Sequence, residues 1–211
     1  MKIRPGWRWR RLQNSQSIAF ASFLPVALFC VVCGCALFDD RGYYFSAALD
    51  QIVASIYPSC PFREAVQVAD YIEKNSSPDS RIAVLGSAPE IYFLAHRHSA
   101  TGHVSTYILM QRRAYSHDMQ EEMVREIKAA NPEYIVFVNN ALSWFPVVHA
   151  DDTLLAAMAR YEKDRYKRVG VVLTAPPPAP PVYYWDAAAL NPPAAKSDEY
   201  SIFVYKRQKP G

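Results

Sequence analysis

The sequence predicts an α/β protein: a single N-terminal transmembrane helix, then a small three-layer α/β/α domain with a mainly parallel sheet. Three observations carry that prediction. Residues 18–38 are an unbroken apolar run. Continuous Val/Ile-rich segments further on alternate with stretches of helical periodicity, the pattern of a parallel sheet covered on both faces. And 51% hydrophobic against 20% charged residues in a chain of 211 excludes a disordered tail, a collagen-like repeat or a disulfide-dense miniprotein.

The charge is unevenly spread. The net formal charge is +3. Residues 1–38 hold Lys2, Arg4, Arg8, Arg10 and Arg11 and no acid. The remainder then carries 18 basic and 20 acidic residues, a net of −2. Basicity therefore belongs to the N-terminus, and the rest has no electrostatic claim on nucleic acid.

The elements follow in order. Residues 1–17 form a basic cytoplasmic segment by the positive-inside rule. Residues 18–38 (IAFASFLPVALFCVVCGCALF) span about 30 Å as a helix, the thickness of a bilayer's hydrocarbon core. Asp39 and Asp40 close the run. Two other readings of the segment stand beside a retained anchor: a cleaved signal peptide, and a lipoprotein signal, for which residues 32–35 (VCGC) are an imperfect match. All three export the remainder, placing it outside the plasma membrane. Cys30, Cys33 and Cys35 read as small apolar residues of that segment. Cys60 is the only later cysteine, so no disulfide framework holds the domain.

Residues 39–60 are an aromatic, irregular connector along the membrane surface. From residue 61 the extracytoplasmic domain begins. Pro61 opens a helix through Phe62, Ala65, Val66, Ala69 and Ile72. Residues 81–85 (RIAVL) form a buried strand, and Gly86 and Ser87 turn it into a helix opened by Pro89. Residues 116–130 form an amphipathic helix ended by Asn131 and Pro132. Residues 134–138 (YIVFV) are a second strand, 151–166 a helix, 169–173 (VGVVL) a third strand, and 201–205 (SIFVY) a fourth, at an edge. Residues 175–193 are a Pro-rich loop crossing the sheet end, its first proline cluster polyproline II.

Few side chains point to chemistry. The strand–Gly–helix turn at residues 84–92 makes a possible anion cradle. Its one Gly makes it neither a dinucleotide fingerprint nor a P-loop, and a plain tight turn explains it as well. His96, His98 and His103 have a spacing that metal sites use, but no acid or cysteine nearby completes one, so no metal or other cofactor is expected. His117 and His149 are isolated. Asp151 and Asp152 fit the start of a helix. Asn139 and Asn140 follow the second strand, at the end of the sheet where such folds bind ligands.

Two strings carry a family likeness. "RIAVLGSAPEIYFLAHRHSATGHVSTYILM" and "MQEEMVREIKAANPEYIVFVNNALSW", preceded by "IYPSCPFREAVQVADYIEKNSSPDSRIAV", resemble the C-terminal extracytoplasmic domain of bacterial polytopic membrane glycosyltransferases. The group is that of dolichyl-phosphate-mannose protein mannosyltransferases and aminoarabinose transferases, of the GT-C type. The likeness covers residues 57–173. It implies a membrane-anchored fragment or split form, whose exported domain is accessory to sugar transfer from a polyprenyl-phosphate donor. The lipid bilayer, a polyprenyl-phosphate-linked sugar and a polytopic membrane protein are the implied partners.

The family's catalytic acid lies on a loop of a multi-helix membrane core that these residues do not include, so no catalytic residue is assigned. Ala88 and Glu90 also depart from the family's usual acidic and polar residues. The substrate-binding candidates are Gly86, Ser87, Glu90 and Tyr92, with residues 101–107 beside them, among these Thr101, His103 and Tyr107. A non-enzymatic anchored module of the cell envelope is the alternative. A stand-alone exported enzyme is the weakest, since no base, nucleophile or metal grouping supports it.

Overall fold

The computed structural model describes residues 13–47, 49–57, 60–144, 152–174, 179–193 and 200–208. Of the basic segment expected at residues 1–17, residues 1–12 lie outside these, as does the polyproline expected at residues 176–178. The chain divides into two compact units, Met1–Ile52 and Val53–Gly211.

In the first unit, α1 (Gln13–Asp39) contains the apolar run, with Pro25 inside it. Its large apolar side chains are exposed, from Phe23 (72%) and Leu24 (70%) to Phe38 (65%). Consecutive helical positions lie about 100° apart, so these side chains point in every direction. Among the described residues no helix is long and apolar enough to cross a membrane. The expected irregular connector instead begins with a short helix, α2 (Arg41–Phe45), and continues into α3 (Leu49–Ile56). α2 is a single short turn with little periodicity, whereas α3 places Leu49, Ile52, Val53 and Ile56 at helical spacing, a pattern legible in the sequence.

In the second unit the order is α4 (Phe62–Asn75), β1 (Arg81–Leu85), α5 (Glu90–Leu94), β2 (His98–Ser99), α6 (Ser116–Ala130), β3 (Tyr134–Asn139), α7 (Ala141–Trp144), α8 (Thr153–Arg165), β4 (Tyr166–Leu173), β5 (Val182–Trp185) and β6 (Ser201–Arg207). The α6 helix stops where Asn131 takes a left-handed conformation (φ 45°) before Pro132.

The six strands form one sheet in the order β2-β1-β3-β6-β4-β5. β1 is parallel to β2 and β3, but β6 is antiparallel to β3 and β4, and β5 is antiparallel to β4. The sheet is mixed, which corrects the mainly parallel expectation. Parallel neighbours need a crossover, usually a helix. Each of β1, β3 and β4 follows such a helix, and all three run the same way. Only a 3-10 turn, Ala188–Leu190, is described between β5 and β6, and both return antiparallel. Two further corrections follow. β6 is central rather than an edge strand, and the tyrosine–tryptophan stretch of the Pro-rich loop is the edge strand β5.

Strand alternation divides the core between the two faces. Ile82, Val84, Tyr134, Val136, Val138, Ile202 and Val204 pack with α4 and α5. Ala83, Leu85 and Ile135 pack with Met123 and Ile127 of α6 and Leu154 and Met158 of α8. Three layers result, with helices on both faces. Arg97, 8% exposed, ties α5 to α4 by donating to the carbonyls of Glu73 and Ser76 at 2.9 Å.

Candidate functional site

β1, β3 and β4 run the same way, so their carboxyl ends share one rim of the sheet. Ligands of open α/β sheets bind at such a rim. The turn after β1 is set by Gly86, whose φ of +129° is open to glycine and strained for other residues. A Cβ there would lie 2.7 Å from Cβ of Val138 on β3. The absent side chain lets the turn lie against β3 and brings Ser87 over the strand ends.

Ser87 Oγ donates to the carbonyl of Ser143 at 3.1 Å and lies 3.3 Å from Ser105 Oγ. Thr106 Oγ1 donates to the same carbonyl at 3.3 Å. Trp144 fixes α7 in place by donating its indole N–H to the carbonyl of Val138 at 2.7 Å. Three hydroxyls thus converge where β1 and β3 end. One strand further, Asn139 Nδ2 donates to Ser201 Oγ at 3.2 Å.

A second group of polar side chains joins α4, α5 and the entry to β6. Glu90 has one carboxyl oxygen buried without a hydrogen-bond partner. Burial pushes its carboxyl up, and its own backbone N–H opposes the shift. The Cys60 thiol is raised by burial and then by the negative charge of Glu90. Burial also raises Glu64, against its own backbone N–H, Arg63 and a hydrogen bond from Tyr200. A raised thiol stays protonated and is a poor nucleophile. These groups suit hydrogen bonding to a ligand rather than covalent attack.

The remaining candidates are placed differently. Tyr92 is 9% exposed, and its hydroxyl oxygen accepts from the Val84 N–H at 2.8 Å, so it braces β1 from within the core. Thr101 Oγ1 donates to Glu126 of α6 at 2.6 Å, and the Gly102 N–H donates to the same oxygen at 2.9 Å. The Thr101 hydroxyl is the main cause of the lowered Glu126 carboxyl. His103 Nε2 lies 3.2 Å from Glu122 of the same helix. Thr101 and His103 therefore face α6, and it is Ser105 of that loop that meets Ser87, with Thr106 bonded to the same Ser143 carbonyl. Tyr107 is 39% exposed, and Val104, Ile108 and Tyr115 are exposed with it.

His96 Nδ1 lies 2.9 Å from Glu73 of α4, so His96 and His103 approach helices on opposite faces of the sheet. Among the described residues no group of three His, Cys, Asp or Glu is placed to hold a metal. Ser105 and Thr106 fall within the 101–107 stretch that the sequence offered, but Ser143, Glu64 and Tyr200 were not among its candidates. Their only local signal is hydroxyl-rich or acidic composition, which surface loops and helix starts share. No family model, no curated protein and no solved structure matches this chain.

Proposed function

We propose that the chain is a membrane-anchored accessory protein of the cell envelope, and that the carboxyl-end rim of its exported α/β domain holds the sugar of a polyprenyl-phosphate-linked donor. The observation that carries this reading is the pairing of two chemistries on one loop. Ser105 presents its hydroxyl beside that of Ser87, and the buried Thr106 holds the loop there through its bond to the Ser143 carbonyl. The adjoining Val104, Tyr107 and Ile108 expose 48%, 39% and 50% of their surface. Hydroxyls suit a sugar, and exposed apolar side chains suit the isoprenoid that carries it.

The anchor half of the reading rests on the uncharged residues 12–38 and on the exposed apolar side chains of α1 from Phe23 onward, although no described helix by itself meets the length and apolarity of a membrane span. A helix that is hydrophobic all round needs an apolar surrounding. After α1, Arg41 stacks on the Phe38 ring at 4.3 Å. Tyr43, Tyr44 and Phe45 are exposed beyond it, as aromatic belts are at a membrane interface. The sugar-transfer chemistry belongs to a polytopic membrane partner. The family likeness of residues 57–173 supports that assignment and awaits the experiment.

The test is photo-crosslinking of the full chain in liposomes with a diazirine-bearing polyprenyl-phosphate hexose. Label on residues 87–115, reduced several-fold by Ser87→Val, is the expected outcome. Label confined to α1, or unchanged by the substitution, overturns the reading.

A further inference from the structure

A cavity of about 290 Å³ lies between α8 and the sheet. Its floor is Leu85 of β1, Phe137 of β3, and Phe203 and Tyr205 of β6. Met158, Ala159 and Glu162 of α8 face that floor. These walls are apolar except for Glu162 and the Tyr205 hydroxyl. The cleft is half open to solvent, with Ala159 exposed at its rim.

Glu162 is the anomaly. One of its carboxyl oxygens is buried and has no hydrogen-bond partner. Buried polar atoms are nearly always satisfied, and an orphaned one costs stability. Burial alone raises this carboxyl, with no cation lowering it. Arg168 of β4, close enough to act on Tyr205, is held by the carbonyls of Ala189 and Leu190 at 2.9 and 2.8 Å. The chain supplies no counter-charge to Glu162 among its described ion pairs.

We propose that this cavity is a binding site for a small organic amine, whose ammonium meets the free oxygen of Glu162 while its apolar body lies on Phe137 and Phe203. An ammonium supplies both the missing donor and the missing charge. Aromatic faces beside it also favour a cation. Sites for drug-sized ligands run from about 300 to 1,000 Å³, so the occupant is small: one ring or a short chain. The site lies beneath α8 and is independent of the serine-lined rim.

The test is calorimetric titration of the full chain in nanodiscs with 2-phenylethylamine, with empty nanodiscs as reference. 2-Phenylethanol serves as the neutral isostere. The amine is expected to bind at least about tenfold more tightly than the alcohol, a difference of about 1.4 kcal/mol. Glu162→Gln is expected to remove that preference. Ala159→Trp, at an exposed rim position, is expected to block both ligands while circular dichroism stays unchanged. Equal binding of amine and alcohol overturns the proposal. So does a preference that survives Glu162→Gln, or no saturable binding at millimolar amine.

Discussion

At Gly86 the lack of one carbon sets the shape of the rim. Alanine there meets both a positive φ and the Val138 side chain. Backbone strain of this kind costs about 1–3 kcal/mol, and the contact adds to it. Gly86→Ala should lower the unfolding free energy in urea by about 3 kcal/mol. Adding Val138→Ala should recover part of that loss, a non-additivity that a double-mutant cycle measures. Glu162 makes a pH-dependent prediction. Burial holds its carboxyl at about 7, against an ordinary 4.5. A raised carboxyl favours the folded state while protonated. Its contribution is therefore complete below pH 4.5 and lost as the pH rises through 7. Glu162→Leu removes the charge, so it should differ little from the parent near pH 4.5. At pH 8 it should be more stable by about 2–3 kcal/mol, read from thermal unfolding at the two pH values.

Among the elements, β6 carries the most pairings. Its Ile202 and Val204 are fully buried against α4 and α5, while Phe203 and Tyr205 turn to the other face. Proline at Val204 removes an N–H from a strand hydrogen-bonded on both sides. Val204→Pro should leave the domain unfolded, seen as rapid proteolysis and loss of near-ultraviolet dichroism. The local character of β1, β3, β4, α4, α6 and α8 was legible in the sequence, because periodicity is a local property. The position of β6 was not. Its unbroken apolar run suits a central strand as well as an edge one, and register with a strand 70 positions away, as for Ile135 and Tyr205, leaves no local trace. β5 was hidden by its flanking prolines, which read as loop. The rim divides in the same way. Gly86, Ser87 and Glu90 lie on a strand–turn–helix that sequence alone reveals. Ser105 and Ser143 reach Ser87 across 18 and 56 positions, and only the fold brings them together. Tyr92 and Thr101 face inward because backbone and helix groups needed their hydroxyls.

At the scale of the whole molecule, the anchor reading makes a direct prediction. The full chain should remain with carbonate-washed membranes, and a chain lacking residues 1–38 should move to the soluble fraction. Full-length protein in the soluble fraction would remove the anchor from the proposal. The sheet order also bears on how the chain is made. β6 lies between β3 and β4 in space but follows both in sequence. Synthesis or export delivers β1 to β4 first, as two half-sheets with nothing to join them. Non-local pairings of this kind form slowly and leave strand edges open meanwhile. Folding must therefore wait until residues 201–207 have emerged, and a chain in transit stays exposed to chaperones and proteases. A stop codon arising after β5 would remove β6 and leave the sheet in two pieces, so mutations there should act as null alleles.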